Sequence, residues 1–181
     1  MGLFSKLIFE LRVRRAASDK VVTFYDLNAV GTNVTVRGRP GFGSEPYLIT
    51  IGSDVRISSG VKFFTHDGGA HVLRTEHADL NHFARIEIGD RVFIGAESLI
   101  LPGVTIGSDV VIGAGSVVSR DIPDSTVAAG VPCKPLGSID SYRERMLAKS
   151  APLSSSLKGP ERKAAILKAV TDRENRDPAD G

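Results

Sequence analysis

IGDRVFIGAESLILPGVTIGSDVVIGAGSVVSR, residues Ile88 to Arg120, repeats every six positions. Ile88, Ile94, Ile100, Ile106, Ile112 and Val118 stand in register, and the residues that follow them are Gly89, Gly95, Leu101, Gly107, Gly113 and Ser119. Four steps after each aliphatic come Val92, Ser98, Val104, Val110, Ser116 and Ile122, mostly small or β-branched. A period of six suits neither a helix of 3.6 residues per turn nor a freely alternating strand. It suits a short strand followed by a corner, with the aliphatic pointing inward and glycine or a small residue where the chain turns. Three six-residue sides make a coil of 18 residues, so Ile88 is expected to stack on Ile106, Ile94 on Ile112 and Ile100 on Val118. The result is a parallel β-prism with apolar ladders inside. Ile51, Ile57 and Phe63 mark an earlier coil. Val30 and Val36 start a less regular one, before RGRPGFGSEP (Arg37–Pro46) bulges out.

The pattern breaks at FFTHDGGAH, Phe63 to His71. From Phe63 to Ile88 is 25 residues where the repeat allows six, and all four histidines, His66, His71, His77 and His82, lie in that interval. A long loop inside a compact domain is more often functional than idle. Histidine is also the natural base for drawing a proton from a hydroxyl. His66 stands where the hexads end. Asp67 beside it is a carboxylate able to support an imidazolium, although Asp before Gly68 and Gly69 is also an ordinary turn residue.

The stretch from Val30 to Leu136 resembles the hexapeptide-repeat acyltransferases, most specifically in VKFFTHDGG, ILPGVTIG, IGAGSVV and AGVPCKP. Within that family it is similar to the sugar and polysaccharide O-acetyltransferase branch, which includes galactoside, maltose and capsule-modifying enzymes. The resemblance implies a left-handed parallel β-helix, against the usual right-handed crossover, and a homotrimer with active sites between neighbouring prisms. It implies acetyl-CoA as acyl donor, with no metal required. His66 matches the family's general base, with Asp67 as a possible support. Ala96, Ala114, Ser119, Arg120 and Lys134 match positions that contact the donor, and Ala96 replaces a serine of the galactoside enzyme, so only its backbone amide is left to bond the thioester oxygen. Gly137 stands where that enzyme has a basic residue. His71 and Arg74 are the acceptor contacts expected on the loop. Cys133 falls where the family tolerates alanine or cysteine, which argues against a covalent mechanism. The expected reaction is direct acetyl transfer to a hydroxyl of a sugar, nucleotide sugar or polysaccharide precursor. Transfer to an amino sugar, a zinc site of the γ-carbonic-anhydrase kind using the His66/His71 and His77/His82 pairs, and a non-catalytic trimeric scaffold are the alternatives.

The chain has 181 residues, which allow one ordinary domain plus tails. With 23 Lys and Arg against 21 Asp and Glu, the net charge of +2 gives no basis for nucleic-acid binding. A single cysteine forms no internal disulfide and agrees with a cytoplasmic location. No signal peptide or membrane span is read. In residues 1–20, Leu3, Phe4, Leu7, Ile8 and Leu11 fall at helical spacing. The amphipathic helix this predicts either packs on protein or lies on the inner face of the membrane. Residues 21–136 are expected to form the all-β prism with an extruded loop at 66–85. Residues 137–181 are expected to form a helical segment, SIDSYRERMLAKS then PERKAAILKAVTDRENR, and a disordered DPADG tail.

Overall fold

The computed structural model describes residues 25–150 and 153–175. The helix expected over residues 1–20 and the DPADG tail lie outside the described residues. The chain divides into two units after Ile139.

Among the described residues of the first unit, thirteen short strands wind around three faces. The first face holds β1 (Ala29–Val30), β3 (Ile49–Ile51), β6 (Ile86–Ile88) and β9 (Thr105–Ile106). The second runs β2 (Thr35–Val36), β4 (Arg56–Ile57), β7 (Phe93–Ile94), β10 (Val111–Ile112), β12 (Thr126–Ala129) and β13 (Lys134–Ser138). The third stacks β5 (Lys62–Phe63), β8 (Leu99–Ile100) and β11 (Val117–Val118). Neighbours on each face are parallel, except that β13 runs antiparallel to β12. The register is the one the hexads demand: Ile88 opposes Ile106, Ile94 opposes Ile112 and Ile100 opposes Val118.

The ladders are the core. Ile51, Ile57, Phe63, Ile94, Ile100, Ile106, Ile112 and Val118 are all buried. Sequestering a side chain of this size contributes about 1.5–3 kcal/mol. Ser98 and Ser116, also buried, both donate to the Gly113 carbonyl, at 3.1 and 2.6 Å, so no buried hydroxyl goes unpaired at that corner.

Two sequence expectations change. RGRPGFGSEP does not simply bulge, because Phe42 within it is buried and stacks on Phe63 with centroids 5.0 Å apart and planes 9° from parallel. Gly41 receives the Phe63 amide at 2.7 Å and donates to Val61 at 2.9 Å, so this stretch supplies the third side of the first coil. The glycines after the aliphatics do not make the turn either. The left-handed residue is the third after the aliphatic: Asn33, Asp54, Arg91, Glu97 and Asp109 have φ of 53 to 58°, and Gly60, Gly103 and Gly115 take the same place. Gly95 is needed for a different reason. A Cβ there would lie 2.4 Å from the Ala114 amide nitrogen of the next coil, and Gly52 and Gly89 meet backbone at 2.6 and 2.8 Å in the same way. The coils approach too closely for a side chain.

At the far end, β13 carries the first unit past the Leu136 boundary read from sequence, with Ile139 donating to the Ser125 carbonyl at 2.8 Å. Among the described residues, strands therefore dominate this unit only, with 3-10 turns at Pro46–Leu48 and Gly68–Leu73. The second unit is helical: α1 (Ile139–Lys149) starts at the junction, and α2 (Gly159–Glu174) has Pro160 in its first turn, where a missing N–H costs nothing. Met146 and Leu147 of α1 are exposed. Among the described residues no helix is long and apolar enough to cross a membrane.

The two glycine roles separate experimentally. Gly115→Asn, at φ +67° with open space around the Cβ, is expected to keep nearly the parental melting temperature, because asparagine accepts the left-handed region. Gly95→Asn should lower stability by about 1–3 kcal/mol, the usual cost of overpacking. Equal losses in thermal melts of the two variants would show that conformation, not coil approach, sets both positions.

Candidate active site

Where the third face would turn into the first, the chain leaves the prism after Phe63 and comes back at Ile86. The exit and return strands hold each other. Asp67 donates its amide to His82 at 3.0 Å and Ala84 donates to Thr65 at 2.8 Å, leaving His66 and Phe83 opposite one another. Between them runs a 3-10 turn over Gly68–Leu73.

His66 is held from the coil beneath. Its Nδ1 lies 2.9 Å from Glu45 Oε2, and Ser44 Oγ stands 3.4 Å away. Thr65, fully buried, donates its hydroxyl to the same Glu45 oxygen at 2.9 Å. These contacts, the bond with His66 first and Ser44 next, hold the Glu45 carboxyl below its ordinary range, so it is an acceptor. An acceptor facing Nδ1 requires the proton on Nδ1. In the neutral ring Nε2 is then the nitrogen that carries the lone pair. The side chain of His66 is 41% exposed and that of Glu45 16%, so the imidazole is anchored on its inner side and open on its outer side.

Glu45 is the residue that sequence reasoning missed. The signal was present in the hexads: once Phe42 is placed under Phe63, Glu45 and His66 fall three residues after equivalent ladder positions. Asp67, expected to support His66, instead accepts from the Gly69 amide at 2.8 Å and caps the 3-10 turn. Short aspartates before glycine prefer this local bond. Arg74 donates from Nε to the Leu80 carbonyl at 3.1 Å and from its second guanidinium nitrogen to Asn81 Oδ1 at 2.5 Å, bracing the loop. His71 is exposed on the 3-10 turn.

The residues matched to the acyl donor divide between two edges. Ala96 and Ala114 sit at the corner between the second and third faces, one coil apart, with Gly115 donating to the Ala96 carbonyl at 2.8 Å. Among the described residues neither the Ala96 nor the Ala114 amide finds an acceptor. Lys134 lies toward the same edge, opposite Ala129 in the β12–β13 pair. Ser119 and Arg120 turn the corner between the third and first faces, two coils along from His66, or about 10 Å at the strand spacing of a sheet. Arg120 and Lys134 are exposed and form no ion pair among the described residues. One face of the prism thus separates His66 from Ala96 and Ala114 within a single chain.

Cys133 is buried, donates its amide to Val117 at 2.8 Å, and has its thiol pushed up by burial, partly offset by Ser116. Among the described residues no three His, Cys, Asp or Glu side chains converge to hold a metal ion.

Residues 85–120 match the family model described as bacterial transferase hexapeptide (six repeats). The chain is 43% identical over 171 residues to Protein CapG of Staphylococcus aureus, covering 94% of this chain and 98% of that one. Galactoside O-acetyltransferase of Escherichia coli K12 is 38% identical over 113 residues, 62% of this chain and 55% of its own length, so this chain spans only about half of that relative. A solved galactoside acetyltransferase in complex with coenzyme A superimposes with a TM-score of 0.52 at 25% identity, over 86% of this chain and 87% of that one. A repeat that dictates the register, a three-faced prism built on it, and relatedness along nearly the whole of CapG make this chain a member of the hexapeptide-repeat transferases, an acyltransferase of their acetyltransferase branch.

Proposed function

We propose that the protein transfers the acetyl group of acetyl-CoA to a hydroxyl of a sugar, nucleotide sugar or polysaccharide precursor, with His66 as general base. The observation that carries this reading is the Glu45–His66 pair: a carboxylate 2.9 Å from Nδ1 fixes the tautomer in which Nε2 accepts a proton, at the place where a regular coil is interrupted. His66 Nε2 takes the hydroxyl proton as the acceptor oxygen bonds to the thioester carbonyl carbon. Glu45 stabilises the imidazolium that results. A backbone amide at Ala96 or Ala114 donates to the oxyanion, the kind of fixed dipole that serves developing charge best. As the C–S bond breaks, the imidazolium returns its proton to the leaving thiolate, giving free CoA and the acetyl ester. Arg120 and Lys134 supply cations for the donor's phosphates, with Ser119 beside Arg120 on the edge. Asp67 and Arg74 shape the loop, and His71 faces the acceptor from the 3-10 turn.

The separation of His66 from Ala96 and Ala114 by a whole face supports a trimer in which one prism's His66 edge meets its neighbour's alanine edge. The hand of the coils in this reading is left, as in the family, and the donor's chemistry places the enzyme in the cytoplasm.

His66→Ala should reduce kcat by about 10²- to 10⁴-fold, the usual range for a general base, while its melting temperature stays close to the parent. Full turnover in a folded His66→Ala protein, read by thiol release from acetyl-CoA, would rule out the assignment. Because Glu45's pKa is depressed on folding, its contribution to stability is fully present above about pH 5 and is lost as pH falls through its lowered value. The gap in melting temperature between the parent and Glu45→Gln is therefore expected to be constant at neutral pH and to close in acid, and a gap that widened in acid would contradict the pairing. Cys133→Ala should keep parental kcat; a folded but inactive variant would point to an acyl-enzyme instead.

A further inference from the structure

Beside the His66 imidazole stands a ring that the reaction as drawn does not use. His66 and Phe83 are directly opposed in an antiparallel pair whose flanking bonds, Asp67 to His82 and Ala84 to Thr65, enclose them without joining them. Pairs of this kind bring their side chains closest and onto one side of the ribbon. The two rings accordingly meet edge to face, with centroids 6.0 Å apart and planes at 64°. Along the exit strand the side chains alternate: Phe63 and Thr65 are buried, while Phe64 and His66 face out. Phe83 is 52% exposed and Phe64 38%.

Leaving an aromatic ring half in water forfeits the burial it is suited to, and an exposed phenylalanine against the ring of His66 marks a surface suited to a ligand. Phenylalanine has no polar handle. What it offers is a flat face, and the group beside it, the His66 imidazole, is polar. A ligand that suits both must be amphipathic by face, with C–H bonds on one side and hydroxyls at the rim. A sugar ring has that construction; an acyclic polyol does not present a fixed apolar face.

Resting on the reading of His66 as the base, we infer that Phe83 is the acceptor-positioning residue, stacking against the C–H face of a pyranose ring and so setting one rim hydroxyl at Nε2. The residue selects for ring-shaped acceptors and leaves the donor untouched.

The test uses the full chain, acetyl-CoA, and two sets of acceptors: methyl pyranosides, and acyclic polyols with the same number of hydroxyls. The parent should prefer a pyranoside in kcat/KM. Phe83→Ala should raise the KM for that pyranoside about tenfold, the size of a lost stacking contact, with the KM for acetyl-CoA and the oligomeric mass unchanged. Phe83→Trp should keep the parental preference. An unchanged acceptor KM in Phe83→Ala overturns the inference, as does an equal loss for pyranoside and polyol. So does a fall in oligomeric mass that accompanies weaker use of both substrates, which would assign Phe83 to subunit packing. A parent that acetylates polyols but no ring refutes the platform while leaving His66 as base. A parent that acetylates neither refutes the sugar-hydroxyl acceptor reading and the platform together.

Discussion

The contact on which everything else rests is the approach of one coil's backbone to the next at Gly52, Gly89 and Gly95, where even a methyl group would strike main chain within 3 Å. Stacking that tight keeps each strand within hydrogen-bond reach of its neighbour although most of the strands are only two or three residues long. Strands this short have no independent stability, so the ladders of Ile, Val and Phe and the main-chain bonds between coils form together. The same tightness transmits position. A residue at a given place in one hexad is held above its equivalent in the coil below, and that is how Glu45 comes to meet His66 across 21 residues of sequence.

Much of the prism was legible because the hexad is a repeated statement of one fact, the inward aliphatic. Ile88, Ile94, Ile100 and their partners fix register as well as face, and a one-residue slip would expose every one of them. The turning positions were less legible. Arg91 and Glu97 adopt left-handed backbone that neither residue type prefers, and only the closure of the coil imposes it. Glycine drew attention away from them, since its presence beside each aliphatic suggested a turn and its real role is to leave room.

At the site the balance was similar. The interruption after Phe63 and the corner position of His66 could be read from the string. The identity of its partner could not be read while RGRPGFGSEP was taken for a bulge. Asp67 is the carboxylate adjacent in sequence, yet its short side chain satisfies the amide two residues on. Adjacency along a strand sends neighbouring side chains to opposite sides, whereas stacking brings them together. In a solenoid the residue one coil away is a better guess than the residue next door.

The loop from His66 to Phe83 begins and ends at the same antiparallel pair, so its two ends are fixed beside each other whatever lies between. Lengthening or rewriting the interval changes only the entropy of a loop already closed, which grows slowly with length. The ladders and the donor-matched corners at Ala96, Ala114 and Ser119 contribute no residue to it. Such a scaffold separates two histories: the prism is bound to its period, and the loop is free to drift in length and sequence without renegotiating the fold.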